Sequence, residues 1–306
     1  MTTALYTHPD CNQHQWSKHP ERPERLTAVM ERINSSGLLQ HMDEVPATEV
    51  SDSQLQMVHH ASFIEEIIGS EPEEGLTKID ADTFMSPGSL RAARLAAGAN
   101  ATATESVLSG KIKRAFCAIR PPGHHAEVGQ AMGFCLFNNV AIAAQTALLH
   151  NDINRVAILD FDVHHCNGTV DIFKDHEEVL VCSSFQENFY PYRYLEFINE
   201  HIINTPLAAG STGREFRNGI ERSWVPALLS HKPDFIFVSA GFDAHKDDPV
   251  GQLSLLEEDY VWVTQLIVDI ANDLSRGRLV STLEGGYDLT ALANCVEAHV
   301  QVLVEG

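Results

Sequence analysis

Five short apolar runs, most of them leading into charged or turn-forming residues, alternate with longer helical stretches, and this alternation leaves few folds open. The runs are Ala115 to Ile119, Arg155 to Asp160, Glu178 to Ser183, Asp234 to Ser239 and Arg278 to Leu283. They are rich in Val, Ile and Phe and lack a strict apolar/polar repeat, as strands covered on both faces do. Between them, Leu90 to Leu108, Asn138 to His150, Glu215 to Ser230 and Leu255 to Asp273 carry helical patterns, with Pro226 expected to kink the third. Strand–helix alternation predicts an open, mostly parallel α/β sheet. The 306 residues are 44% hydrophobic and contain no linker-like run or repeat, so one domain spanning residues 1–306 is expected.

In open α/β sheets the ligand sits beyond the carboxyl ends of the strands. Four of the five runs lead there into chemically suggestive residues. The first enters Arg120-Pro-Pro-Gly-His-His125 and the second Asp162 and His164. The fourth enters Ala240-Gly-Phe-Asp243 and the last Glu284-Gly-Gly-Tyr-Asp288. One rim should therefore carry all of these groups.

Asp162 and His164 alternate with Phe161 and Val163, so both side chains leave the strand on one face. Charge at the end of a buried strand must be compensated. The two could form a hydrogen-bonded pair or ligate a divalent ion. Asp243, delivered from another strand end, makes a third hard ligand, and two carboxylates with one imidazole suit zinc with open positions. Iron or manganese would accept the same donors. Such an ion is less electropositive than one held by imidazoles alone, so a nearby general base gains importance.

His124 and His125 follow a stiff Pro-Pro-Gly turn and can both line a pocket wall. Acid/base work, ligation and a structural pair are all open, with the first favoured because ligands are already at hand. Each ring needs a partner on its far nitrogen, and Asp160 and Asn167 are the candidates. Tyr287, after two glycines, could donate to an oxyanion or simply pack at a loop base. Together these parts describe amide hydrolysis. Cys166, beside His165, is a small core-facing residue rather than a nucleophile.

The formal net charge is −21, which disfavours nonspecific binding to nucleic acid or anionic membrane and favours a cationic substrate, although acidity also serves solubility. Six scattered cysteines without a C-x-x-C pair argue against a disulfide scaffold. No secretion signal or membrane span is visible, and a cytoplasmic location is the expectation.

These residues resemble those of a known family. The chain closely resembles the zinc-dependent histone deacetylase superfamily, which includes acetylpolyamine amidohydrolases and bacterial deacetylase-like enzymes. The matching stretches are HPERPERL at His19 to Leu26, RPPGHHAE at Arg120 to Glu127, GFCLFNNVAIAA at Gly133 to Ala144, LDFDVHHCNGT at Leu159 to Thr169, SAGFDAHKDDP at Ser239 to Pro249 and LEGGYD at Leu283 to Asp288. The likeness runs from about Tyr6 to the final helix.

The resemblance implies an arginase/deacetylase-like α/β fold with a central eight-stranded, mostly parallel sheet and helices on both faces. It implies one zinc ion (Zn2+) on Asp162, His164 and Asp243. It pairs His124 with Asp160 and His125 with Asn167, an asparagine that looks like the class II pattern, and makes His125 the general base and later acid. Tyr287 takes the oxyanion-stabilising position, which implies competence on acetyl-lysine-like amides. Gly133 and Phe134 resemble one wall of an acyl-lysine tunnel and Tyr190 the opposing wall. Val250 falls on a rim position that is usually larger, and Asp82 on a rim aspartate that gathers substrate backbone amides. Potassium (K+) near Asp160, Asp162, His164 and Ser183 is a further implication. Two departures stand out, Cys166 where many relatives have glycine and Phe185 where many have histidine. Neither removes a catalytic group, but both could change the pocket.

The implied substrates are an acetylated peptide or a small cationic amide such as an acetylpolyamine. The absence of a large insertion near the mouth favours an open-mouthed deacetylase, and an oligomer is left open. A silent binding module of the same fold would be expected to have lost one of the candidate catalytic residues, and none is lost. An arginase-like two-metal hydrolase would need further carboxylates.

Overall fold

The computed structural model describes residues 3–197 and 199–306. The strands are β1 Thr3–Thr7, β2 Met42–Pro46, β3 Thr77–Lys78, β4 Phe84–Met85, β5 Arg114–Cys117, β6 Val156–Asp160, β7 Val179–Gln186, β8 Ile202–Leu207, β9 Phe235–Ala240 and β10 Leu279–Leu283. The α-helices are α1 Glu24–Ser35, α2 Asp52–Leu55, α3 Ala61–Gly69, α4 Ser89–Leu108, α5 Asn139–Leu148, α6 Asn167–Phe173, α7 Gly213–His231, α8 Glu257–Leu274 and α9 Leu289–Glu305.

Eight strands form one sheet in the order β2-β1-β5-β10-β9-β6-β7-β8, and β3 pairs with β4 in a separate small ribbon. Every pairing in the large sheet is parallel. Parallel strands need crossovers that cover the faces, and the helices supply them. α4 packs on α5 on one side, while α1 packs on α9 and α9 on α8 on the other. The central strands β5, β6, β9 and β10 are buried throughout, which is why they were visible as unbroken apolar runs. The five expected strands and four expected helices are all present within a few residues of their expected ends. The helix α7 runs on through Pro226, which lies inside it.

Local chemistry explains several boundaries. Asn138 caps α5 by accepting from the Ala141 N–H at 3.0 Å, and Asp288 caps α9 by accepting from Thr290 and Ala291. Gly98 lets α4 press against the segment 48–50. A Cβ there would lie 1.8 Å from the Thr48 carbonyl oxygen. Among the described residues no helix is long and apolar enough to cross a membrane, and all six cysteines are free and buried.

Candidate metal centre and its cavity

Four strand ends deliver the site. β6 runs out at Asp160 into Asp162 and His164, β9 into Asp243, and β10 into Glu284 to Tyr287. The turn after β5 delivers His124 and His125. The carboxylates of Asp160, Asp162, Asp243 and Glu284 are all at most 1% exposed, a concentration of buried acid that needs cationic compensation.

One ligand atom each from Asp162, His164 and Asp243 lies within 4.8 Å of the others. His164 Nδ1 is 2.9 Å from Asp162 Oδ1 and 3.2 Å from Asp243 Oδ2. The latter contact is close but not aligned as a hydrogen bond, so Asp243 Oδ2 is buried without a hydrogen-bond partner. Other atoms of the triad are held by backbone. Val163 N–H donates to Asp243 Oδ1 at 2.8 Å and Gly285 N–H to Asp162 Oδ2 at 2.9 Å. A Cβ on Gly285 would sit 2.2 Å from Asp243 Oδ2 and 2.5 Å from Asp162 Oδ2, so only glycine leaves room beside the cluster. An orphaned carboxylate oxygen, a converging imidazole and a bare backbone wall fit a divalent cation.

The electrostatics point the same way. Burial and the neighbouring Asp162 carboxylate push the Asp243 carboxyl up to about 7. Burial works against charge on His164 too, yet the two aspartates raise it to about 10. Against its own burial, Asp162 is held well below the carboxylate range by His124 and His164.

The two adjacent histidines have different partners. His124 Nδ1 is 2.9 Å from Asp160 Oδ2, and His125 Nδ1 is 2.6 Å from Asn167 Oδ1. Burial opposes charge on both. For His124 the carboxylates of Asp160 and Asp162 overcome it and raise the ring to about 10. For His125 burial and the cationic rings of His124 and His164 hold the imidazole well below its ordinary value. The two rings thus sit in opposite electrostatic settings, His124 in one that favours the charged imidazole and His125 in one that favours the neutral form.

His125 and His164 open into a cavity of about 240 Å³ that is also lined by Asp82, Gly133, Phe134, Phe189, Tyr190, Val250 and Tyr287. Gly133 and Phe134 are both left-handed, at φ 57° and 69°. A Cβ on Gly133 would lie 2.3 Å from the His125 ring. Phe134 stands edge-on to Tyr287 at 5.8 Å, while Phe189 stacks on His164 at 5.4 Å and Tyr190 stands edge-on to His125 at 5.3 Å. Burial drives the Tyr287 phenol well above its ordinary value despite the nearby Arg25, so it remains a donor.

All the residues expected at the rim, Asp82, Gly133, Phe134, Tyr190 and Val250, meet at this cavity. Ser183 does not. It pairs with Asp160 across β6 and β7, and its buried hydroxyl has no hydrogen-bond partner. Cys166 adopts φ −79°, so the glycine it replaces is not needed for a left-handed turn. Phe185 packs edge-on against His165 at 4.8 Å, away from the cavity.

Several residues of the site had not been singled out from the sequence. Arg25 donates to the carbonyls of Glu284 and Gly286 and lies 4.9 Å over the Tyr287 ring. Glu21 holds both Arg25 and Arg120 in a fully buried ion-pair cluster. Asp248 accepts from the N–H groups of Tyr287 and Val250 at 2.6 and 2.9 Å. Phe189 and Glu127 complete the list. The HPERPERL and RPPGHHAE stretches, which contain Glu21, Arg25, Arg120 and Glu127, were the available signal for the charged cluster.

Comparison with known proteins gives a consistent result. The profile of the histone deacetylase domain matches residues 19–303. The type-2 histone deacetylase 2 of Dictyostelium discoideum is 35% identical, with 99% of this chain and 21% of that protein covered. This chain therefore spans about a fifth of that relative. The histone deacetylase-like amidohydrolase of Pseudomonas aeruginosa is 35% identical, with 93% of this chain and 77% of that protein covered. The crystal structure of the HDA15 HD domain superposes with a TM-score of 0.93 at 33% identity, covering 99% of this chain and 89% of that one.

Proposed function

The chain belongs to the histone deacetylase family, and on that premise we propose that it is a zinc-dependent amidohydrolase that removes acetyl groups from N-ε-acetyl-lysine side chains of proteins or peptides. The observation that carries this reading is the Asp162, His164 and Asp243 cluster at the floor of an aromatic-walled cavity, with the His125 imidazole and the Tyr287 phenol lining the same space. We take residues 1–306 as a single catalytic domain and the cytoplasm as its location.

Asp162, His164 and Asp243 would hold the ion, which when bound polarises the amide carbonyl and acidifies water. His125 presents Nε2 to the cavity because its Nδ1 is engaged by Asn167. It takes a proton from the attacking water and returns it to the leaving amine. His124, charged through Asp160, stabilises the negative charge that develops at the carbonyl oxygen. The Tyr287 hydroxyl donates to that same oxygen. Phe134 and Tyr190 sheathe the methylene stem of the lysine and exclude water, and Asp82 at the mouth accepts from substrate backbone N–H groups. Val250 leaves the mouth wider than a larger residue would. A monovalent cation such as potassium beside the Ser183 hydroxyl and the Asp160 to His164 segment would offset the buried acid further.

The test is a side-by-side kinetic comparison of acetyl-lysine peptides and acetylpolyamines on the zinc-loaded protein, with chelation and zinc restoration as controls. Peptide turnover that chelator abolishes and zinc restores is expected. Inert peptides with efficient acetylpolyamine hydrolysis would replace this substrate class by small cationic amides. No turnover of either would favour a silent binding module.

A further inference from the structure

We propose that Glu127, acting through the side-chain amide of Asn167, locks His125 in the tautomer that leaves Nε2 unprotonated, and that Arg193 sets the direction of this relay. The proposal rests on His125 being the base. Glu127 is a positioning residue, because it touches neither the cavity's reacting atoms nor the ligand cluster.

An asparagine is an ambiguous partner for a histidine. Its oxygen accepts from an Nδ1–H and its nitrogen donates to a bare Nδ1, so an unrestrained amide supports either tautomer. Here the amide is restrained. Asn167 Nδ2 faces three acceptors and no donor, with Glu127 Oε1 at 2.8 Å, the His125 carbonyl at 3.3 Å and Met132 Sδ at 3.3 Å. Rotating the amide would turn its oxygen onto the Glu127 carboxylate. Asn167 Oδ1 is thereby fixed toward His125 at 2.6 Å, and His125 Nδ1 must carry the hydrogen. Nε2 then has its lone pair free for the cavity.

The far end of the relay is fixed as well. Arg193 Nη1 donates to Glu127 Oε2 at 2.7 Å and to Gln130 Oε1 at 3.1 Å. Both oxygens of Glu127 are therefore engaged as acceptors, one by a guanidinium and one by an amide. Glu127 is 8% exposed and Asn167 fully buried, so water competes little for the bond between them, whereas the Arg193 side chain is 41% exposed. Arg193 also follows Phe189 and Tyr190 in the same loop, which joins the cavity wall to the orientation of the base.

The arrangement makes Glu127→Gln informative. Arg193 demands an acceptor, so the new amide turns its oxygen to Arg193 and its nitrogen to Asn167. Two donors then face each other, Asn167 is driven to rotate, and His125 is pushed to the Nε2–H form. Adding Asn167→Asp restores the order of donors and acceptors. The amide introduced at position 127 then donates to the carboxylate introduced at position 167, and that carboxylate accepts from the His125 Nδ1–H. The double variant exchanges a carboxylate and an amide and keeps the net charge.

The experiment is long-range 1H–15N correlation spectroscopy of 15N-histidine-labelled, zinc-loaded protein, with the His125 signal assigned by its loss in His125→Ala, alongside steady-state kinetics. The wild type is expected to show His125 as Nδ1–H. E127Q is expected to shift the ring toward Nε2–H and lower kcat about 10- to 100-fold with KM within about twofold. E127Q/N167D is expected to recover most of both. A wild-type His125 in the Nε2–H form overturns the proposal without any variant. So does an E127Q protein with unchanged tautomer and kcat, or a double variant no better than E127Q. If His125→Ala keeps its turnover, the base assignment fails, whereas the tautomer measurement stands on its own.

Discussion

At the level of single residues, Tyr287 and Asp243 make the sharpest predictions. The Tyr287 ring is held between Phe134 and the Arg25 guanidinium, neither of which needs its hydroxyl. Tyr287→Phe should therefore fold normally and lose only the donor to the developing oxyanion. A fall in kcat of about 10²- to 10³-fold is expected, with little change in KM, as measured by steady-state kinetics on an acetyl-lysine peptide. Retention of near wild-type kcat would remove the phenol from the chemistry. Asp243 differs, because its Oδ2 makes no hydrogen bond and faces the ligand cluster. Asp243→Ala should lower bound zinc to a small fraction of the wild-type content by elemental analysis, with activity falling in parallel. Full zinc occupancy in this variant would show that Asp243 is not a ligand.

The elements show why some parts of the molecule were legible and others were not. β5, β6, β7, β9 and β10 announce themselves because they are buried on both faces and so must be apolar throughout. β2 and β8 are the sheet edges. β2 carries the exposed Asp43 and Glu44, and β8 contains Pro206, both of which blunt an edge and hide a strand from any search for apolar runs. β1 is only five residues long and is bounded by threonines. In the site, the groups at strand ends could be read because their spacing follows the pleat. Arg25, Asp248 and Glu127 could not, because each acts on a partner far along the chain, as Arg25 does on Gly286, 261 positions away. The resemblance to a family supplied the strand count that periodicity could not. Helix packing yields its own prediction at Gly98, where α4 touches the Thr48 backbone. Gly98→Ala should raise helix propensity yet destabilise the protein by about 1–3 kcal/mol through overpacking, as measured by chemical denaturation. A stabilised variant would mean that the contact is looser than the 1.8 Å approach implies.

On the scale of the whole molecule, buried neutral histidines set an acid limit. His59 accepts the Asn138 N–H at Nε2, and its Nδ1 donates to the Glu127 carbonyl, so a second ring proton has no place. Burial lowers His59 to about 4 and His299 to about 3. In the unfolded chain both bind a proton near their ordinary value of 6.5. Between those limits the unfolded state holds more protons on these two rings, so their share of the stability falls as pH drops below about 6.5, while Asp243 and Glu284, raised to about 7 by burial, contribute in the opposite sense. By about pH 5 the cost is roughly 2 kcal/mol per histidine. Glu21 extends the trend to lower pH. Burial would raise it, but Arg120, His14 and Arg25 hold it at about 2, against 4.5 when unfolded, so its contribution is complete above about 4.5 and is lost as pH falls toward 2. Thermal midpoints of the wild type should therefore decline more steeply between about pH 7 and 4 than those of His59→Gln, which lacks one such ring. A slope unchanged by the substitution would contradict the neutral state of His59.

The left-handed backbone at Gly133 carries a consequence for how such an enzyme can diversify. With the imidazole of His125 where a methyl group would go, position 133 is bare main chain and accepts no substituent. Acyl scope can then be retuned at Phe134 or from the opposite bank, where Phe189, Tyr190 and Val250 sit on two separate loops, but not at position 133. Selection for bulkier or shorter acyl groups should leave its mark there, while the glycine stays unchanged.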